Sequence, residues 1–233
     1  MTYVMADIHG HLPRFQAVMK QIKLQQEDHL YILGDVIDRN PKGIAILRQI
    51  MKADNMTMLL GNHEYMMLNW LEEPEDEYNQ WVWRNNGGYV TQRAYKFCRN
   101  DYKQEIREYL TSLPLNIDIE VGGQRFLLVH GSPAEMFQHG HTRYGDKRKF
   151  AVWNRLREAD PVPEGKTVIF GHTPTAYFTQ TVPMSIYHGE NRIGIDCGCA
   201  FDGGGRLGCL RLDDMKEFYS EYPAYTAGFC GYL

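Results

Sequence analysis

The tetrad Gly61-Asn62-His63-Glu64 directly follows the apolar run Met56 to Leu60. An Asn beside a His is a poor choice for packing at the exit of a buried strand. The pair makes chemical sense if the amide oxygen binds a metal ion and the imidazole hands a proton to a leaving group. Four further blocks follow the same logic: Asp7-Ile8-His9-Gly10, Gly34-Asp35-Val36-Ile37-Asp38-Arg39, Val129-His130-Gly131 and Gly171-His172-Thr173-Pro174. Asp7, Asp35, Asn62, His130 and His172 each close an apolar run, and His9 stands just beyond Asp7. Carboxylate, imidazole and amide oxygen together suit Mn, Fe or Zn better than Ca or an all-thiolate zinc site. Six such ligands exceed the needs of one catalytic ion with open positions. They fit two ions that share a bridging carboxylate.

Two divalent ions roughly 3.5–4 Å apart lower the pKa of a bridging water toward neutrality and clamp both oxygens of an in-line displacement. The expected reaction is therefore direct attack of a metal-bridging hydroxide on a phosphate ester. Two ions, two aspartates and one hydroxide leave a charge of about +1 in a dry cleft, which Arg39 and Arg155 raise to about +3. That local charge suits a dianionic phosphate, and an arginine fork can hold two phosphate oxygens at once. His63 should point away from its neighbour Asn62, toward the leaving oxygen, with Asp38 holding its imidazole protonated. Asp196 also closes a strand-like run, and two readings stay open for it: a brace behind a metal-binding His, or a turn-forming Asp.

These residues need a framework that gathers strand ends. Short apolar runs alternate with helical patterns, so the fold class is α/β. Strands are expected at Tyr3–Ala6, His29–Leu33, Met56–Leu60, Leu115–Val121, Phe126–Val129, Thr167–Phe170, Arg192–Ile195 and Leu207–Leu212. Open α/β sheets place their sites beyond the carboxyl ends of strands, where five of the candidate ligands lie. Pro13 opens a predicted helix with Phe15, Val18, Met19 and Ile22 on one face. Asn40-Pro41 reads as a cap and first residue of a second helix, striped by Ile44, Leu47, Ile50 and Met51. Residues 64–113 read as a helical insertion carrying an acidic turn and a Trp81, Trp83, Asn86, Gly87, Gly88 cluster. Val121-Gly122-Gly123-Gln124 is a hairpin signal. The aromatic tail (Phe218, Tyr219, Tyr222, Tyr225, Phe229, Tyr232) packs on the domain or on another subunit. The whole chain, residues 1–233, is expected to be one domain.

The net charge of -4 gives no global pull toward nucleic acid or anionic membrane. No apolar stretch is long enough to span a membrane. The chain enters a strand at once, which leaves no room for a signal peptide, and a cytoplasmic location is expected. Five cysteines without a Cys-x-x-Cys pair argue against a disulfide framework or zinc knuckle. Cys197-Gly198-Cys199 lacks the Arg that a cysteine-based phosphatase would use to hold phosphate. His11, His139, His141 and His188 are read as surface or loop residues.

In type and order, these blocks resemble the metal-dependent phosphoprotein phosphatases of the calcineurin-like metallophosphoesterase superfamily, in particular the compact bacterial and bacteriophage-lambda-type branch. Trp153-Asn154-Arg155 and Asn86-Gly87-Gly88 are similar to that branch as well, so the likeness runs from Tyr3 to Leu212. The resemblance implies two central mixed β-sheets packed as a sandwich and flanked by helices. It implies that Asp7, His9 and Asp35 bind one ion, that Asp35 bridges, and that Asn62, His130 and His172 bind the other. Mn is the first expectation, with Fe or Zn as alternatives. It assigns His63 and Asp38 as the acid pair, and Arg39, Arg155 and the Asn62 amide as phosphate contacts. Three positions depart from the pattern: Ala6 for Gly, Asn40 for Gly, and Ser132-Pro133 after His130-Gly131. Asn40 is expected to keep its loop because Asn tolerates the left-handed region.

The expected activity is dephosphorylation of phosphoserine and phosphothreonine, with phosphotyrosine or a small phosphoester as further substrates. The alternative is a symmetrical diadenosine tetraphosphate hydrolase, which shares the metal blocks but tends to lack an acid at the position of Asp38. A cyclic-nucleotide phosphodiesterase would want a second His where Pro174 stands. A catalytically dead module would not need every ligand, the acid and both arginines.

Overall fold

The computed structural model describes residues 1–138 and 141–221. In chain order the elements are β1 (Thr2–Met5), α1 (Leu12–Ile22), β2 (His29–Ile32), α2 (Gly43–Met51), β3 (Met56–Met58), α3 (Asn62–Glu72) and α4 (Glu77–Trp83). A π-turn (Arg84–Gly88) leads into α5 (Tyr89–Lys96) and α6 (Asn100–Ser112), then β4 (Asn116–Val121), β5 (Gln124–Val129), α7 (Lys147–Trp153) and β6 (Thr167–Phe170). The chain closes with β7 (Tyr187–Gly189), β8 (Arg192–Gly194), β9 (Gly208–Arg211) and β10 (Lys216–Tyr219).

Two mixed five-stranded sheets result, in the orders β10-β9-β1-β2-β3 and β4-β5-β6-β8-β7. In the first, β1, β2 and β3 run parallel; in the second, β5, β6 and β8 do. The antiparallel strands stand at the outside. This is the expected α/β architecture. Side-chain alternation along the strands sorts the core into layers. Tyr3 and Met5 join the cluster under the helices, while Val4 joins Leu33, Leu59, Phe126, Leu128, Ile169 and Ile193 between the sheets. Leu127, Val129, Val168 and Phe170 face outward onto Leu156. The central strands are thus buried on both faces, which is why they read as continuous apolar runs.

The helices follow the expected stripes, with one correction. Phe15, Val18 and Ile22 of α1 are buried, and His11 Nδ1 accepts from the Arg14 N–H at 3.4 Å. Asn40-Pro41 does not start α2. That helix begins at Gly43 after Lys42 and buries Ile44, Ile46, Leu47 and Ile50. The reason lies one step earlier. Asp38 (φ 70°) and Arg39 (φ 64°) take the left-handed conformation, so the chain has to turn through Asn40 to Lys42 before a helix can form. The left-handed role expected of Asn40 falls on these two residues instead.

The segment between β3 and β4 is helical, as expected. Two strands escaped sequence reading. β7 is short and pairs only with β8; β10 holds Phe218 and Tyr219, so this part of the aromatic segment packs on the first sheet. Tyr222, Tyr225, Phe229, Tyr232 and His139 lie outside the described residues. Among the described residues, no helix is long and apolar enough to cross a membrane.

Candidate active site

The six parallel strands deliver six polar residues to one place. Just past β1, β2, β3, β5, β6 and β8 stand Asp7, Asp35, Asn62, His130, His172 and Asp196, all buried. The backbone is forced there. Asp7, His9, Asp35 and His172 have φ of 53°, 49°, 54° and 61°. Such conformations cost of order 1–3 kcal/mol each and persist only where surrounding bonds over-determine them. Here the Asp7 N–H donates to Gly34 O at 3.2 Å and the His9 N–H to Asp35 O at 2.9 Å. Gly34 makes the convergence possible: a Cβ there would lie 2.6 Å from the Gly61 backbone and 2.9 Å from His130 Nδ1.

The histidines have their tautomers fixed by backbone carbonyls, which can only accept. His9 Nδ1–H donates to Ile37 O at 3.2 Å and His130 Nδ1–H to Leu33 O at 2.6 Å; His172 Nε2–H donates to Trp153 O at 3.3 Å. Each ring then turns a lone pair inward, and burial depresses all three imidazoles toward the neutral form. The inward atoms meet other acceptors. His9 Nε2 lies 3.7 Å from Asp35 Oδ2, and His130 Nε2 lies 3.5 Å from Asp35 Oδ1 and 2.9 Å from Asn62 Oδ1. Lone pairs facing lone pairs repel unless a cation stands between them. Two groups of ligand atoms, His9/Asp35/His63 and Asp35/His130/His172, each lie within 4.8 Å of one another and share Asp35.

The acids give the same indication. Burial, then the charges of Asp196 and Asp35, push the Asp7 carboxyl well above its usual range, and burial pushes Asp196 up to about 6. Asp35 moves the other way: burial opposes ionisation, but His130, His63, His9 and His172 together hold it well below the carboxylate range. Crowded buried carboxylates beside neutral imidazoles form a donor set that suits divalent cations of the Mn, Fe and Zn kind. Asp7 is outside both ligand groups; its two oxygens accept the His172 N–H at 3.2 and 3.0 Å.

His63 falls in one ligand group by distance, but its ring is held from the other side. Nδ1–H donates to Asp38 Oδ2 at 2.7 Å; Nε2 lies 3.8 Å from Asp35 Oδ2 and 3.3 Å from Arg39 Nη2, a donor that a protonated Nε2 cannot bond and that leaves its proton for another acceptor. Both His63 and Asp38 are fully buried. Burial alone would depress the His63 imidazole; the charges of Asp35 and Asp38 outweigh it and hold it above its usual range. Arg155 is exposed, and its Nη1–H donates to His172 O at 2.8 Å. Asp196 accepts the Gly198 N–H at 2.9 Å, which is the turn-forming geometry. Ser132 Oγ accepts from Asn154 Nδ2 at 2.7 Å, so the Ser132-Pro133 departure ties its loop to the segment that presents Arg155.

The roles of three residues around the His63–Asp38 pair were not read from the sequence. Glu64, in the first turn of α3, is fully buried, and its carboxylate accepts N–H groups from Asp35 (2.8 Å), Val36 (2.9 Å) and Ile37 (3.3 Å). Burial and the nearby Asp35 push it up to about 8. Trp83 Nε1–H donates to Asp38 Oδ2 at 2.7 Å, and Thr91 Oγ1 accepts the Asp38 N–H at 3.0 Å. Glu64 had a signal, an acid directly after His63 in an otherwise apolar context. Trp83 and Thr91 had none, because their partner is 45 and 53 positions away. Cys197, Cys199 and Cys209 are buried free thiols whose burial pushes them up, in keeping with a non-catalytic reading.

The model of the calcineurin-like phosphoesterase family matches residues 2–197, and the chain belongs to that family. Among similar proteins, a symmetrical bis(5'-nucleosyl)-tetraphosphatase from Psychromonas ingrahamii is 22% identical, covering 93% of this chain and 95% of the relative. One from Salmonella arizonae is 24% identical, covering 93% of each. Among solved structures, a protein serine/threonine phosphatase from Saccharomyces cerevisiae superposes with a TM-score of 0.59 at 14% identity, over 97% of this chain and 81% of that one. A metallophosphoesterase from Sphaerobacter thermophilus gives 0.56 at 19%, over 95% and 88%. At these identities the structural likenesses speak to the fold.

Proposed function

We propose that this phosphoesterase hydrolyses phosphate monoesters on proteins, with phosphoserine and phosphothreonine as its main substrates and phosphotyrosine as a further one. The observation that carries this reading is the buried His63–Asp38 pair, with Nδ1 and Oδ2 2.7 Å apart. A serine or threonine alkoxide is a poor leaving group and needs a proton as it departs. A pyrophosphate-type leaving group departs as a stable anion and has little use for an acid.

Asp7, His9 and Asp35 would hold one divalent ion and Asp35, Asn62, His130 and His172 the other, with Mn as the first candidate and Fe or Zn as alternatives. When bound, the ions supply an acidified water as nucleophile and positive charge at the phosphate. The chain's own residues do the rest. Leu33, Ile37 and Trp153 carbonyls aim the three imidazoles inward. Arg39, beside His63, and Arg155, on the His172 carbonyl, would orient the phosphate oxygens. Asp38 keeps the His63 proton on the imidazole and its ring in place, so that Nε2–H can protonate the leaving oxygen.

A second reading has its own support: both tetraphosphatase relatives align along nearly the full chain. Rates on phosphoserine peptides and on diadenosine tetraphosphate, measured side by side with Mn²⁺, separate the two. The phosphopeptide is expected to have the higher kcat/KM. A dominant rate on the dinucleotide would make the second reading the right one.

A further inference from the structure

A cleft of about 1050 Å³ opens beside the metal-ligand cluster. Its inner wall is the segment that touches the site: the Trp153 carbonyl accepts from His172 Nε2, and Arg155 donates to the His172 carbonyl. Four cations line it, Arg143, Lys149, Arg155 and Arg157. None of them forms an ion pair among the described residues, whose salt bridges all lie elsewhere. The lining also holds two acids, each hydrogen-bonded within the fold: Glu135 Oε2 accepts from Asn116 Nδ2 at 2.6 Å, and Asp160 Oδ2 accepts the Arg157 backbone N–H at 2.8 Å. Four cations against two carboxylates leave a local excess of positive charge beside the ligand cluster, in a chain whose net charge is -4.

The aromatic side chains of the cleft say what the ligand is not. A nucleobase wants an open ring face or a paired amide. Phe150 is buried. The Tyr144 ring carries the Arg143 guanidinium at 4.6 Å, and its hydroxyl donates to Asn154 Oδ1 at 2.8 Å. Trp153 packs against the helical core cluster. The His141 ring packs against Phe150 and Phe137, at centroid distances of 4.5 and 6.1 Å. The cleft therefore offers charge spread over an open wall and little uncovered stacking surface.

We propose that this cleft binds acidic side chains flanking the phosphorylated residue of a protein substrate, which selects phosphorylation sites in acidic sequence. The proposal rests on the protein-phosphatase reading above and names its substrate class. Arg155 serves the scissile phosphate, while Arg143, Lys149 and Arg157 meet carboxylates further along the peptide.

The test uses two phosphoserine peptides that differ only in flanking Asp and Glu against Asn and Gln, with the Mn²⁺-loaded protein. Three exposed ion pairs are worth roughly tenfold together, so the acidic peptide is expected to have a roughly tenfold higher kcat/KM. In the triple variant Arg143→Gln, Lys149→Gln, Arg157→Gln that ratio falls toward one. A second readout is anisotropy binding of the acidic peptide with serine in place of phosphoserine. Binding is expected to weaken with added salt and to be lost in the triple variant. Equal rates on the two peptides, or a ratio the triple variant leaves intact, overturn the subsite while sparing the phosphatase reading. Hydrolysis of p-nitrophenyl phosphate with neither peptide cleaved overturns both. A triple variant that loses its rate on diadenosine tetraphosphate while keeping its peptide ratio assigns the cleft to a polyphosphate chain and ends the proposal.

Discussion

Asn62 and His63 are adjacent in the first turn of α3 yet face different partners. Asn62 Oδ1 meets His130 Nε2, whereas the His63 ring turns to Asp38 and Arg39. Successive helical residues diverge by about 100°, so neighbours can serve the metal side and the leaving-group side separately. This gives a leaving-group test. His63→Ala should slow hydrolysis of an alkyl phosphoserine substrate by about 10²–10⁴, the usual worth of a positioned acid. Hydrolysis of p-nitrophenyl phosphate, whose phenolate leaves without a proton, should fall far less; equal losses would remove His63 from the acid role. Asp38→Asn adds a pH signature. As the proposed acid His63 would act protonated, so activity would fall as pH rises through its pKa. Asp38 is one of the charges that raise that pKa. Removing the charge should move the alkaline fall of kcat/KM on the alkyl substrate to lower pH.

At the scale of elements, the helical segment between β3 and β4 clamps Asp38 and Arg39. Trp83, at the end of α4, and Thr91, in α5, both hold Asp38. The π-turn between them holds Arg39, whose N–H donates to Gly87 O at 3.1 Å. Gly87 has φ 90°, and a Cβ there would approach Arg39 Cγ to 2.9 Å and Arg39 N to 3.1 Å. Gly87→Ala should therefore cost about 1–3 kcal/mol in urea unfolding. It should also raise KM for phosphate substrates by displacing Arg39. A variant with wild-type stability and KM would show that the turn does not position the arginine. The sequence made this segment legible as helical. Its partners could not be read there, because periodicity reports which face is buried and not which distant loop that face meets.

At the scale of the molecule, the candidate ligands come from both sheets: Asp7, Asp35 and Asn62 follow strands of one, His130 and His172 strands of the other. Bound cations would cross-link the two halves of the sandwich and relieve the crowding of Asp7, Asp196 and Asp35. Mn²⁺ present at 100 times its Kd should add about 2.7 kcal/mol per site to the unfolding free energy. That appears as a higher Tm, reversed by chelator. A Tm indifferent to both would rule out the metal pair, whatever the activity. The sequence by itself determined the α/β class, the strands of the two parallel cores and the identities of the residues at their ends. It could do so because strand burial and ligand chemistry are written in local residue types. Only the tertiary structure decided that Glu64 ties down the loop after β2, that Trp83 and Thr91 brace Asp38, that Asp38 and Arg39 rather than Asn40 take the left-handed turn, and that β10 closes the first sheet. Each of these depends on a contact between residues far apart in the chain. A side chain's type fixes what bonds it can make, and only the folded backbone fixes which partner it meets.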